Sequence, residues 1–291
     1  MFINLGPPEI GIRKSLEECI QLARKAGFRG VDVDIFEVKR LVNQKGTSYI
    51  KELFHKYQLN IGGWIWFDDF GFESDPSSFN DHLKVLPSLA AVAEQIGASR
   101  VLSWILSYSD DLNFEENFNL HAERLKTSGK ILGDYGQRLA LEYIGPKTFR
   151  ENHQYEFVST LDGILRLINE VGLKNVGLLM DSWHWYTSHE NVGDLKKIHS
   201  DNVFYVHLSD APPDTPVDKQ VDNLRRLPGS TGVVDNVSFL MALNNISYDG
   251  PITAEPFSQE VNALPPEDAA RMTAEALSKL LDKAGVVQRN P

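Results

Sequence analysis

Eight short apolar, β-rich runs recur along this chain, and each is followed by a loop and an amphipathic helical stretch. The runs are FINLG (2–6), GVDVDIF (30–36), IGGWIWF (61–67), RVLSWIL (100–106), RLALEYI (138–144), VGLLMD (176–181), VFYVHLSD (203–210) and PITAEPF (251–257). Helical patterns occupy 15–26, 47–58, 77–96, 115–135, 157–171, 191–199, 234–246 and 266–284. Many of them open on Ser, Thr, Asp or Asn and close on glycine, as SLEECIQLARKAG does. Eight strand–helix units in 291 residues match the length of one (β/α)8 barrel. A doubly wound sheet alternates in the same way, but it usually places a glycine-rich phosphate turn after its first strand, and NLGPPEIG is not such a turn. No Pro- or Ser-rich linker and no low-complexity tract divides the chain. The expectation is an α/β fold, a single barrel domain spanning 1–291.

Composition removes several classes of function. At 42% apolar and 24% charged residues the chain has enough material for a core. No run approaches the roughly 18 apolar residues of a membrane span, and MFINLGPPEIGIRKS has none of the features of a signal peptide. The single Cys19 rules out an intramolecular disulfide and a thiolate metal cluster, and its apolar neighbours predict a buried role. A cytoplasmic location is expected. The net charge of −11 argues against a nucleic-acid partner, because phosphate binding relies on Lys and Arg.

Strand parity then places the ionisable residues. Alternate side chains of a barrel strand face the axis and the helical layer, and chemistry belongs at the C-terminal ends. In 138–144, Leu139, Leu141 and Tyr143 share the outward parity, whereas Ala140 and Glu142 face in. In 176–181, Leu178 and Met180 face out, and Gly177, Leu179 and Asp181 face in. In 203–210, Phe204, Val206 and Leu208 face out and His207 faces in. In 251–257, Ile252 and Ala254 face out, and Thr253 and Glu255 face in. Four consecutive strands thus each present one ionisable group inward at the same end. Neighbouring strands lie about 4.8 Å apart, so Glu142, Asp181, His207 and Glu255 should share a small volume. Three carboxylates there need compensation, and a divalent cation (Mn, Co, Zn or Mg) supplies it. The competing reading is four solvated strand-end residues. His184, three residues past Asp181, is positioned to touch whatever binds the metal, or else it is an ordinary loop histidine.

The series LEYIG, LLMDSWHWY, FYVHLSDAP, RRLPGSTGVVD and ITAEPF resembles the sugar phosphate isomerase/epimerase family, the xylose isomerase-like TIM barrels that include inosose isomerases, inosose dehydratases and ketose 3-epimerases. The resemblance implies that Glu142, Asp181, His207 and Glu255 bind one divalent metal ion. It implies that His184 contacts a substrate oxygen, as does Arg225, with the adjacent Arg226 less favoured. Two features depart from the 3-epimerase pattern: Thr148 stands where those enzymes carry a further glutamate, and the segment from Ala211 to Gly229 is longer. Asp32 and Asp34 are both read on the inward parity of the second strand.

The chemistry implied is removal of a proton next to a carbonyl through an enediolate, with Glu142 and Glu255 as the paired acid and base. Trp66, Trp104 and Trp183 are candidates for contact with a sugar ring. A lyase of the same fold, eliminating a leaving group from the same enolate, is the main rival. An AP endonuclease would need more histidines at the strand ends and a basic groove, and a non-catalytic sugar binder would not need both glutamates. Few basic residues lie near the strand ends, which favours an unphosphorylated sugar, inositol ketone or keto-glycoside. Lys147 meeting Arg225 across the mouth would instead make a phosphate clamp. The expected partner is therefore a small-molecule carbohydrate, with no membrane and no nucleic acid, and the sequence is compatible with a homo-oligomer.

Overall fold

The computed structural model describes residues 1–66 and 72–288. Phe67, the last residue expected in the third strand, lies outside them. Nine parallel strand segments form one sheet: Phe2–Leu5, Gly30–Val31, Asn60–Ile61, Trp64–Ile65, Arg100–Ile105, Arg138–Tyr143, Val176–Asp181, Val203–Leu208 and Pro251–Ala254. The two segments at the edges of the pairing order, Asn60–Ile61 and Trp64–Ile65, belong to one stretch of chain. Asn60–Ile61 pairs with Gly30–Val31, and Trp64–Ile65 pairs with Val101–Leu102. They are halves of a single third strand, so the sheet is an eight-stranded barrel.

Gly62 sits between those halves. A Cβ there would lie 2.4 Å from the side-chain oxygens of both Asn4 and Asp32, so the inward position must be glycine. Leu139, Leu141, Tyr143, Leu178, Met180, Val206, Leu208, Ile252 and Ala254 pack outward into the layer shared with the helices. A second, smaller apolar cluster fills the barrel itself: Leu102, Ala140, Leu179, Phe204 and Tyr205.

Phe204 corrects the parity reading. A β-bulge between Val203 and Tyr205 inserts one extra residue, so Phe204 and Tyr205 both belong to the inner cluster. The space is left by Gly177, whose absent Cβ would stand 2.7 Å from the Phe204 ring. Downstream of the bulge His207 keeps its inward direction.

The second strand also differs from expectation. It ends at Val31, and a helix begins at Ile35 and runs to Lys45. The Asp34 carboxylate accepts hydrogen bonds from the N–H groups of Phe36 (2.8 Å) and Glu37 (3.2 Å), so it is a helix cap and not an inward strand residue. Alternation in GVDVDIF imitated a strand across that cap. The helix expected at 191–199 is reduced to a 3-10 turn, Asp194–Lys197. A short helix, Ser182–Thr187, lies instead directly after the sixth strand of the barrel, Val176–Asp181. The remaining long helices, Leu16–Ala26, Thr47–Tyr57, Pro76–Ile96, Phe114–Asp134, Leu161–Val171, Asn236–Asn245 and Pro266–Lys283, fall within a few residues of their predicted spans. Among the described residues, no helix is long and apolar enough to cross a membrane. Cys19 is buried and unpaired.

Candidate metal centre

The sheet register carries the four inward groups to one place. His207 pairs with Asp181 on one side and with Thr253, two residues before Glu255, on the other. One ligand atom from each of Glu142, Asp181, His207 and Glu255 lies within 4.8 Å of every other. All four side chains are buried. His207 Nδ1 stands 3.2 Å from Glu142 Oε1 and 3.4 Å from Glu255 Oε1. Two donors each about 2.1 Å from one ion are separated by about 3.0 to 3.4 Å at octahedral or tetrahedral angles, so His207 stands from both glutamates at the spacing of neighbouring donors on one ion.

The three carboxylates crowd negative charge into this buried volume. Burial, then the charge of Glu255, pushes Glu142 up to about 8. Burial alone would depress His207, but Glu255 and Glu142 outweigh it and raise the imidazole to about 10. Arg225 supplies part of the compensation. Its Nη1 donates to Asp181 Oδ2 at 2.8 Å and to Glu255 Oε2 at 2.6 Å, and its Nη2 donates to Asp222 Oδ1 at 2.9 Å. The guanidinium lies 4.8 Å from the Phe257 ring centroid and 5.4 Å from that of Trp183. With Glu255 Oε2 held by Arg225, its Oε1 lies beside His207 Nδ1, as does Glu142 Oε1.

Asp181 ends its strand with two tasks. Its Oδ1 accepts the Trp183 N–H at 2.6 Å and so starts the helix Ser182–Thr187, which carries His184 back toward the cluster. His184 Nδ1 accepts the Gly145 N–H at 3.1 Å. Burial holds the imidazole down at about 4, so it is neutral and bears its proton on Nε2. That nitrogen faces Arg225 Nη2 at 3.2 Å and Asp181 Oδ2 at 3.7 Å. Gly145 permits the approach: a Cβ there would lie 2.4 Å from the His184 carbonyl.

The other expected residues are distributed around the mouth. Trp104 is half-buried and in register with Glu142. Trp66 is buried with its ring edge-on to Phe72 at 5.8 Å. Trp183 lies fully buried behind Arg225. Lys147 does not join the cluster. Its ammonium is half-exposed and stands 3.7 Å from Asp218. Arg226 donates to the carbonyls of Leu224 and Arg225.

Sequence reasoning missed three acids. Asp210 is buried and accepts from four backbone N–H groups, those of Ala211 (2.8 Å), Thr231 (3.0 Å), Gly232 (2.8 Å) and Val234 (3.0 Å). It thereby closes the loop that delivers Arg225, and the backbones of Asp210 and Arg226 exchange hydrogen bonds as well. Asp222 fixes the far side of the guanidinium. Glu9 follows the first strand, where burial, then the charge of Glu255, pushes it up to about 8. Only the pattern of turn residues in SDAP and PGSTG hinted at the Asp210 loop, and nothing in the linear chain brought Glu9 near Glu255. Asp32 does face inward: its Oδ2 accepts from the Tyr205 hydroxyl.

Residues 20–280 match the family described as Xylose isomerase-like TIM barrel. The chain is 23% identical over 273 residues to an inosose isomerase of Bacillus velezensis, covering 92% of this chain and 93% of that protein. It is 27% identical over 267 residues to an inosose dehydratase of Salmonella agona, covering 85% and 83%. Its fold superposes with a TM-score of 0.86 on a xylose isomerase domain protein from Alicyclobacillus acidocaldarius, at 28% identity and coverage of 97% and 99%. The score is 0.81 for the IOLI protein, a structure with a bound zinc atom, at 20% identity and coverage of 98% and 99%. With 261 of its 291 residues inside that match (20 to 280), the chain belongs to the xylose isomerase-like TIM barrel family.

Proposed function

We propose that this protein is a divalent-metal-dependent isomerase or epimerase of an unphosphorylated polyol ketone, such as an inosose or a keto-sugar. The observation that carries the reading is the buried set Glu142, Asp181, His207 and Glu255 at coordination spacing. The named relatives and the zinc of the IOLI protein support it. A cation held there would polarise the substrate carbonyl and lower the barrier to losing the neighbouring proton. Glu142 and Glu255, approaching from strands on either side of His207, take the proton from one face and return it at the other. Neutral His184 presents Nε2–H to a substrate oxygen. Arg225 works through Asp181 and Glu255, fixing Asp181 Oδ2 and Glu255 Oε2 and offsetting part of their charge. Arg225 is already bonded to three carboxylates and Lys147 is paired with Asp218, so the two do not meet as a phosphate clamp.

The second reading is a lyase, favoured by the likeness to an inosose dehydratase. It uses the same proton abstraction, but a leaving group departs in place of proton return. Incubating metal-loaded protein with inososes and keto-sugars in deuterated water separates the outcomes. An isomerase or epimerase returns a product of unchanged mass plus solvent deuterium. A lyase gives a product lighter by its leaving group. No exchange and no product with any substrate, at saturating Mn, Co, Zn or Mg, would refute both.

A further inference from the structure

A cavity of about 720 Å³ opens beside the metal centre on the side of the first three strands. Its inner wall carries Glu9, Asp32 and Trp66. Glu9 feels the charges of Glu255 and His207, and Asp32 bonds to Tyr205, whose ring meets His207 edge-on at 5.3 Å, so this end adjoins the reacting centre. The outer wall carries Phe36, Ile65 and Val85, which are 62%, 38% and 43% exposed. Exposed apolar side chains scattered singly are ordinary. Three lining one cavity place apolar contact beside the hydroxyl acceptors Glu9 and Asp32, with the charged Arg13, Lys14, Glu18 and Glu37 on the same lining. A cavity of this volume falls in the range that takes drug-sized ligands, and a bare six-carbon polyol would leave much of it to water.

Resting on the reading of the metal centre given above, we infer that the substrate is a keto-glycoside, a sugar that keeps a ring ketone and carries an aromatic or similarly hydrophobic alcohol on its anomeric carbon. The sugar's hydroxyls meet Glu9 and Asp32, and Trp66 flanks the ring. The substituent lies against Phe36, Ile65 and Val85. These three contact the part of the ligand that does not react, so they set specificity and take no part in chemistry. A flat partner-binding face would lack an enclosed volume with Glu9 and Asp32 on its lining.

The test is calorimetric titration of the Mn-loaded protein with methyl and phenyl 3-keto-glucopyranosides of both anomers. We expect a phenyl glycoside to bind at least tenfold more tightly than its methyl counterpart. The double variant Phe36→Ala, Val85→Ala should lose that preference and keep the methyl affinity within about twofold. Equal affinity for the methyl and phenyl compounds, or a phenyl preference that survives the double variant, would overturn the inference while leaving the metal-centre reading intact. Absence of binding by every glycoside would also overturn it. The deuterium-exchange assay on unsubstituted inososes reports separately on the proposed function.

Discussion

Glu142 and Glu255 share a cluster, yet their surroundings divide them. Glu255 has an oxygen bonded to Arg225, whereas the Glu142 carboxylate meets the imidazole of His207. Without a cation Glu142 is the acid held up to about 8, by burial first and Glu255 second. Replacing either with glutamine keeps the shape and removes the proton acceptor. Glu142→Gln and Glu255→Gln should each lower kcat by at least about a thousandfold at saturating metal, with circular dichroism unchanged. Near-full turnover by either variant would remove the two-carboxylate mechanism. Behind the site, Glu190 accepts from the Tyr143 hydroxyl and from the Leu161 N–H, both at 2.6 Å. Burial pushes this acid up to about 7. The folded state therefore binds its proton more tightly than the unfolded chain does, so its contribution falls as pH rises from the ordinary carboxyl range through about 7, by at most about 3 kcal/mol. Glu190→Gln should flatten that part of the stability–pH curve in urea titrations at pH 5, 6, 7 and 8. An unchanged slope would show that Glu190 does not titrate there.

Short elements and loops deliver the reactive groups, and their caps decide where they begin. Asp34 starts one helix and Asp181 another, each by accepting N–H groups that the first turn leaves unpaired. Asp34→Ala should cost about 1 kcal/mol in urea denaturation and leave metal affinity unaltered. Asp210 organises the longest loop near the mouth. Its removal orphans four backbone N–H groups and frees the segment carrying Arg225. Asp210→Ala should raise amide exchange across 211–234 and weaken metal binding by about tenfold or more, since Arg225 would no longer hold Asp181 and Glu255. Retained protection in that segment would contradict the assignment. The strand parities from 138 onward, Phe204 apart, were legible because the runs alternate cleanly against a helical layer. The reading of Phe204 failed because a bulge changes parity without changing composition, and Asp34 misled because a cap and a strand residue look alike in an alternating run.

At the scale of the whole molecule, eight repeated units were legible because helix caps and apolar periodicity are local signals. Barrel closure was legible only as a count. The physical closure depends on Gly62, where Asn4 and Asp32 approach too closely for any side chain, and that contact joins residues 58 and 30 positions apart. The four inward groups could be named because parity and strand order together fix their convergence. Arg225 was named by resemblance, but its bonds to Asp181, Asp222 and Glu255, and the nearness of Glu9, depend on how the loops cross the barrel mouth, which no periodicity encodes. The central claim is that the closed barrel positions Glu142, Asp181, His207 and Glu255 as one cation site. Anomalous diffraction from Mn-soaked crystals tests it most directly. The account predicts a single strong peak bonded to one oxygen or nitrogen of each of the four side chains at about 2.0 to 2.4 Å. No peak among them at saturating Mn, or a peak bonded to other residues, would contradict it.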